Sequence, residues 1–356
     1  MQPSLSTSHQ SPNFIYEPAE LVVMITDARA LQPEFVPGEL HHREGEVDAL
    51  TTSLDAIVDG ESGRHSFIFG PSGTGKTVLA QYAVNLLERE AFDVATAYVN
   101  CITNSTPTSM LYELTTSAGL AADLRRQGHG PARFVDRIKD ADRQVVAILD
   151  EVDILTEYRV LASLADIPNL TLLMVCVDEH ALFSAFEEPI RSRFSSHRTI
   201  TLTRYSTVEL TSILKGRVRH GLESGVIHDE QIEYIADLAA GDARAAIAIL
   251  RSAVESIRAG DAEAPISVDL IDASQEDARE DIRRRKIREL DTEKRLLYDI
   301  VLENPEISAG DLREKYESRS VNHVADSTRR RYLNRLEEYD LIEGVGRGRG
   351  KRYQAL

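Results

Sequence analysis

This sequence has little cysteine, no tryptophan and no long apolar run. Its 356 residues include two cysteines, Cys101 and Cys176, and no tryptophan, which excludes a disulfide framework or a cysteine metal cluster. Glycine and proline, at 20 and 12 residues, are too few for a collagen-like or low-complexity chain. No apolar run approaches the ~20 residues of a membrane helix, and the N-terminus lacks the order of a signal peptide. We therefore expect a soluble, cytoplasmic protein of two or three domains without membrane contact.

Lysine is also scarce, and acidic charge dominates. Seven lysines and 34 arginines are outnumbered by 58 acidic residues, so the formal net charge is −17. A salt-rich cytosol favours such a surface, which makes a halophilic source our hypothesis. Residues 281–356 differ, with 18 basic and 15 acidic side chains. An acidic body with a mildly basic C-terminal segment indicates that this segment would bind any anionic polymer.

Apolar runs and helical patterns alternate in the first two thirds of the chain. Strands are predicted at 65–69, 93–100, 145–150, 170–177 and 198–203. Because helical patterns separate most of them, the fold class is α/β, with a parallel sheet covered on both faces. Three amphipathic helices and a long charged helix follow between 208 and 290. Residues 291–356 then have the rhythm of a winged helix: three helices, a strand, a glycine-rich tip and a strand.

A phosphate-binding loop follows the first predicted strand. The segment GPSGTGKT fits G-x-x-x-x-G-K-[ST] at every position and precedes a helical pattern. Its residues are Gly70, Pro71, Ser72, Gly73, Thr74, Gly75, Lys76 and Thr77. Backbone N–H groups of such a loop surround phosphate oxygens. We expect Lys76 to reach the β and γ phosphates of ATP and Thr77 to place its hydroxyl on Mg²⁺.

A second apolar strand ends in two acids, within VVAILDEVD at 145–153. The carboxyl end of a central strand lies beside the phosphate loop. Asp150 is therefore expected to hold Mg²⁺ through water, and Glu151 to polarise the attacking water as general base. Asp153 fits a helix-capping or surface carboxylate better. The cofactors predicted are ATP/ADP and Mg²⁺.

Together these parts resemble AAA+ ATPases, and more narrowly the archaeal replication initiators related to eukaryotic origin-recognition and cell-division-control proteins. The segments LQPEFVPGELHHREGEVDAL (31–50), YVNC (98–101) and GDARAAIAILR (241–251) carry the likeness. The resemblance implies an AAA+ P-loop parallel sheet with a helical lid, followed by a C-terminal winged helix. Four segments are predicted: a flexible one at 1–20, a base domain at 21–204, a lid at 205–280 and the winged helix at 281–356.

The resemblance also implies roles for residues outside the phosphate site. The lead-in segment would flank adenine with Val36, Pro37, His42 and Arg43. Arg244 would contact the γ-phosphate from the lid; an ion pair with a nearby carboxylate is the alternative.

Two further positions matter for ATP turnover. Arg193 matches the arginine that AAA+ proteins lend to a neighbouring subunit's nucleotide, which implies homo- or hetero-association; Arg191 competes for this role, and a plain surface arginine stays open. Asp178 stands where the family's first sensor is asparagine. A carboxylate cannot donate a hydrogen bond and adds negative charge near the γ-phosphate. We therefore expect slow ATP hydrolysis, unless Asp178 is not the sensor.

Arginines cluster on two elements of the C-terminal segment. A recognition helix starting at Ser327 would present Arg329, Arg330 and Arg331 to the major groove. The wing would reach DNA with Arg347, Arg349, Lys351 and Arg352. The alternatives are a solvated basic turn and a protein-docking winged helix.

The function implied by the resemblance is ATP-dependent initiation of DNA replication. The protein would bind origin double-stranded DNA through its winged helix and help to load the replicative helicase, with ATP hydrolysis as a switch. One alternative is a nucleotide-switched transcriptional or plasmid-maintenance regulator. Another is a DNA-binding protein that holds nucleotide without turnover.

Overall fold

The computed structural model describes residues 25–321, 323–346 and 350–356. Its larger sheet has five parallel strands in the order β2-β3-β4-β1-β5. They are β1 (Ser66–Phe69), β2 (Val94–Asn100), β3 (Gln144–Asp150), β4 (Leu170–Cys176) and β5 (Arg198–Thr201). The predicted parallel sheet is therefore confirmed.

This sheet is buried on both faces because its strands alternate apolar side chains between two helical layers. Val146 and Ile148 of β3 pack in one layer with α1 (Glu44–Val58) and α2 (Lys76–Glu90), and the intervening residues of β3 pack in the other. The second layer contains α3 (Pro107–Ser117), α4 (Pro131–Lys139), α5 (Arg159–Ala165), α6 (Glu179–Ala185) and α7 (Glu188–Arg193).

Four helices follow the sheet. They are α8 (Thr207–Gly221), α9 (Asp229–Leu238), α10 (Ala243–Ala259) and α11 (Val268–Glu289). Ser206 and Glu209 form a capping box at the start of α8, the local signal that begins a helix. The four helices share one apolar core, with Leu210, Ile235 and Leu250 fully buried in it.

Residues 25–35 pack on these helices, although they fall within the predicted base domain. A 3₁₀ helix at Ala28–Leu31 buries Leu31 in the lid core. Ile25 pairs with Leu222, and the Thr26 amide donates to the Gly221 carbonyl at 2.9 Å. The first described residues thus pack on the lid helices, and the predicted domain boundaries stay predictions.

The C-terminal segment has winged-helix topology. Its elements are α12 (Thr292–Glu303), β6 (Ile307–Ser308), α13 (Ala309–Arg319), α14 (Asp326–Glu338), β7 (Ile342–Val345) and β8 (Arg352–Ala355). The three strands form an antiparallel sheet in the order β6-β8-β7. The apolar core of this C-terminal segment contains Tyr316, Tyr332 and Leu336. Across the described ranges, no helix combines the length and the hydropathy needed to cross a membrane.

Candidate functional site

A cavity of about 760 Å³ opens where the sheet, the lid and α11 meet. The phosphate loop and the ends of β2 and β3 form one wall, and α8 and α10 form another. Residues 33–35 and 37–41 close one end, while α11 and Tyr339 close the other. The carboxyl ends of parallel strands are where such folds bind ligands.

The phosphate loop joins β1 to α2 through left-handed glycines. Gly75, with φ 87°, directly precedes α2, and Gly73 has φ 76°, a conformation that side chains other than glycine disfavour. The Lys76 ammonium donates to the carbonyls of Gly70 and Pro71 at 2.7 and 2.9 Å. Burial lowers the pKa of Lys76. The loop therefore concentrates N–H donors and one cation, the chemistry that holds phosphate.

Asp150 lies beside Thr77 at the end of β3. The Thr77 hydroxyl donates to Asp150 Oδ2 at 2.8 Å, and the Tyr98 hydroxyl donates to the same oxygen at 2.9 Å. Burial raises the pKa of Asp150 to about 6, and the neighbouring Glu151 adds to this shift. A carboxylate next to a hydroxyl is a donor set that suits Mg²⁺, a hard cation with oxygen ligands. Thr77 and Asp150 are the residues that would hold it.

Glu151 lines the cavity in an unusual backbone conformation. Its φ of 55° is left-handed, and such strain in non-glycine residues clusters at functional sites. Its carboxylate accepts a hydrogen bond at 2.7 Å from Arg335 of α14, which also binds Asp153. Burial lowers the pKa of Arg335, but the charges of Glu151 and Asp153 outweigh burial and hold this pKa well above its ordinary value. Asp153 is therefore an ion-pair partner and not a helix cap.

The lid touches the phosphate loop directly. The Ala243 amide donates to the Gly73 carbonyl at 3.0 Å, and Asp242 caps α10 by accepting from the Ala245 amide at 3.0 Å. A Cβ on Gly73 would overlap the Asp242 carboxylate, so only glycine allows this approach. Arg244, in the first turn of α10, lines the cavity. Its contact with the γ-phosphate stays a prediction.

The adenine end differs from the prediction. Pro37 lines the cavity, whereas Val36, His42 and Arg43 lie outside its lining. The Arg43 guanidinium is buried, donates to the Thr203 carbonyl at 2.7 Å and stacks 4.2 Å from the centre of the Tyr205 ring. Its role is therefore structural, because it joins the lead-in segment to the connection between β5 and the lid.

Asp178 and Arg193 also depart from their predicted surroundings. Asp178 is exposed and caps α6 by accepting from the Ala181 amide at 2.8 Å, which corrects its assignment to the γ-phosphate. Arg193 lies on α7 and pairs with Asp166, with its Nε 3.0 Å from each carboxylate oxygen. The competing Arg191 donates to a backbone carbonyl at 3.2 Å. Neither arginine lines this chain's cavity, so a finger role concerns a neighbouring subunit.

The predicted DNA-binding arginines of α14 do not share one surface. Arg329 is buried and pairs with Asp326 at 2.9 Å. Arg331 donates to the Leu155 carbonyl at 2.7 Å and to a tyrosine hydroxyl of the base domain at 3.0 Å. Both therefore contact protein in this structure, so neither is presented to DNA as predicted. Arg330 is exposed.

The wing residues are only partly described. Lys351 pairs with Glu337 at 3.0 Å, and Arg352 is exposed and donates to the Glu306 carbonyl at 3.1 Å. The predicted contacts Arg347 and Arg349 lie outside the described residues. Their role stays a prediction.

Five residues in or next to the cavity are not among the predicted site residues: Tyr98, Arg217, Lys286, Arg335 and Tyr339. Tyr98 had a signal, since it lies two residues before the end of the strand predicted at 93–100, near the sheet edge where Asp150 is expected. Arg217 had one too, because a charged residue at a buried helical position is unusual. It donates to three backbone carbonyls of residues 30–35. The other three come from the C-terminal third of the chain, whose docking no local pattern indicates.

Comparison with known proteins identifies the family. Residues 59–194 match the AAA domain, and residues 211–280 match the Cdc6 AAA+ ATPase-type lid domain. The chain is 34% identical to ORC1-type DNA replication protein 9 of Halobacterium salinarum over 94% of both chains. Against ORC1-type DNA replication protein 1 of that organism the identity is 37%, covering 83% of this chain and 96% of the other. The structure of the Aeropyrum pernix ORC1 protein in complex with DNA superposes with a TM-score of 0.69, at 25% identity and 93% coverage of each chain. The chain, with its AAA domain and Cdc6-type lid, therefore belongs to the ORC1-type DNA replication proteins.

Proposed function

We propose that the protein is an ATP-dependent initiator of DNA replication in a halophilic cell. It binds origin duplex DNA through its winged helix and helps to load the replicative helicase. The observation that carries this proposal is a phosphate loop in direct contact with the lid, in a chain that matches an ORC1-type relative over 94% of that relative's length. Nucleotide binding and hydrolysis then switch the arrangement of base, lid and winged helix.

The site residues divide the work of ATP hydrolysis. Lys76 and Arg244 neutralise phosphate charge from opposite walls of the cavity. Thr77 and Asp150 would hold Mg²⁺, which neutralises further phosphate charge when bound. Glu151 accepts a proton from the attacking water. The basis for a protein that never turns over nucleotide was Asp178 at the γ-phosphate, and Asp178 caps α6 instead.

Duplex DNA is the partner best supported for the winged helix. Arg330 and Arg352 are exposed there, and Arg347 and Arg349 remain candidates. The segment 281–356 has more basic than acidic residues in a strongly acidic chain, and a relative of 25% identity was solved in complex with DNA. Arg193 offers a route to self-association or to a related partner once its pair with Asp166 opens.

The test is genome-wide occupancy compared with mapped replication start sites. We expect the wild-type protein to occupy start sites and Lys76→Ala to lose them, because the loop loses the lysine that contacts phosphate. Lys139→Ala, which removes an exposed lysine at the end of α4, is the matched control. Occupancy confined to promoters or plasmid maintenance loci would refute the initiator role and favour the regulator.

A further inference from the structure

Arg335 links the winged helix to the acid that we assign as general base. Its side chain is 3% exposed, and Nη2 donates to Glu151 Oε2 at 2.7 Å and to Asp153. Nη1 donates to Glu338 Oε2 at 2.8 Å. One buried guanidinium thus binds three carboxylates, two of which belong to the base domain. Charge-assisted hydrogen bonds of this kind are about twice as strong as neutral ones.

The hydrogen bond from Arg335 occupies a carboxylate oxygen of Glu151, the residue that must accept a proton from water. A general base needs a lone pair within hydrogen-bond reach of the water proton. Glu151 directs one carboxylate oxygen at Arg335 and accepts a charge-assisted hydrogen bond there. While this pair persists, Glu151 is turned toward α14 and that oxygen is not available to a water proton.

A second arginine docks the same face of α14. Arg331 lies four residues before Arg335, on the same side of the helix, and donates to the Leu155 carbonyl and the Tyr158 hydroxyl. The segment 151–158 therefore binds two of the arginines of α14. Phosphates of a duplex would compete for these cations, so the docked face cannot serve protein and DNA together.

The residue after α14 completes the wall of the cavity. The Lys286 ammonium of α11 donates to the Tyr339 carbonyl at 2.8 Å, and both residues line the cavity. Arg335 itself lies outside the cavity lining. Among the described residues of α14, Arg335 is the one that hydrogen-bonds Glu151, and it does so from outside the cavity lining.

We propose that Arg335 is a positioning residue for ATP hydrolysis, which withholds Glu151 from water while α14 is docked and releases it when DNA draws α14 away. This inference rests on the proposed function, because it requires ATP turnover and duplex binding. Helix α14 would then couple duplex binding to the release of the general base, Glu151.

The decisive experiment compares Arg335→Gln with the wild-type full chain. Loss of a charge-assisted hydrogen bond shifts a population by roughly tenfold or more. We therefore expect kcat without DNA to rise about tenfold, with KM for ATP within about twofold of wild type because Arg335 does not line the cavity. Duplex DNA should stimulate the wild-type protein and leave Arg335→Gln unchanged. Arg335→Lys keeps the cation and should restore slow turnover.

Two further variants make the comparison specific. Arg313→Gln breaks an arginine–glutamate pair of 3.1 Å within α13, so it is the matched control and should behave as wild type. Arg331→Ala loosens the docking without touching Glu151; if Arg335→Gln fails to fold, a raised kcat in Arg331→Ala supports the proposal and an unchanged kcat overturns it. Amide hydrogen exchange gives a readout besides turnover, and exchange in α14 and in 152–158 should accelerate in Arg335→Gln.

The outcomes separate the two proposals. A wild-type protein that neither hydrolyses ATP nor binds duplex refutes the proposed function, and this inference with it. A wild-type protein that does both, beside an Arg335→Gln variant with unchanged or lower kcat, overturns the inference alone.

Discussion

Replacing Gly73 with alanine tests the contact between the phosphate loop and the lid. Gly73 has φ 76°, and a left-handed conformation costs a residue with a Cβ about 1–2 kcal/mol. The added Cβ would also displace the Asp242 carboxylate, which caps α10, and loss of such a cap costs about 1 kcal/mol. We expect Gly73→Ala to lower the free energy of unfolding by about 2–3 kcal/mol in chemical denaturation.

Gly128→Ala separates the backbone cost from the lid contact. Gly128 has φ 91°, and a Cβ added there would meet nothing within 4 Å. Its substitution should cost only the backbone part, about 1–2 kcal/mol. ATP affinity should fall in Gly73→Ala and not in Gly128→Ala, because only the first change moves the start of α10, where Arg244 lies.

A double-mutant cycle with Asp242→Ala then tests the overlap itself. Asp242→Ala should cost about 1 kcal/mol in the wild-type protein and little in the Gly73→Ala background, where the cap is already displaced. If the two losses add within about 0.5 kcal/mol, Asp242 and Gly73 are energetically independent and the reasoning is refuted.

Three further outcomes are expected. Glu151→Gln should keep ATP binding and stop hydrolysis, because an amide cannot accept the water proton; wild-type single-turnover rates would place the base elsewhere. Asp178→Asn should change neither steady-state hydrolysis nor the melting temperature, since asparagine caps helices as well as aspartate does; a large fall in rate would return this residue to the catalytic site. Burial lowers the pKa of His65, whose Nδ1 accepts from the Leu172 amide at 3.1 Å. Because the folded pKa lies below the ordinary value of 6.5, this group stabilises the fold fully above pH 6.5 and loses that contribution as the pH falls. His65→Asn should flatten this part of the stability profile in denaturation series; an unchanged slope would contradict the assignment.

The parts of the molecule that sequence predicts well depend on neighbours along the chain. The strand expected at 93–100 is β2, Val94–Asn100, and the strand expected at 145–150 is β3, Gln144–Asp150. The structure brings Thr77 and Asp150 within 2.8 Å, as the loop motif and the apolar strand indicate. Parallel pairing of central strands beside the loop leaves few alternatives for these positions.

The arginines of α14 show where such reasoning fails. Residues 329–331 are all arginine, but successive residues of a helix are rotated by about 100° around the helix axis, so their side chains point in different directions. One therefore packs inside the winged helix, one meets solvent and one meets the base domain. Which face docks depends on how two distant units fit together, and a single sequence carries no periodic signal for that fit.

Both ends of the nucleotide cavity are attached to the lid. Arg217 of α8 donates hydrogen bonds to three backbone carbonyls of residues 30–35, which attaches this segment to the lid. Arg244, which lines the cavity, lies on α10 of the same lid. In the described chain before α11, base and lid are connected by two short crossings, at 36–43 and 202–206, and Arg43 joins them through the Thr203 carbonyl. An opening of the lid about these two crossings would withdraw the wall formed by residues 33–35 together with Arg244. A trapped ADP would thus be freed at both ends at once or not at all, and a single opening rate would govern how fast the protein resets.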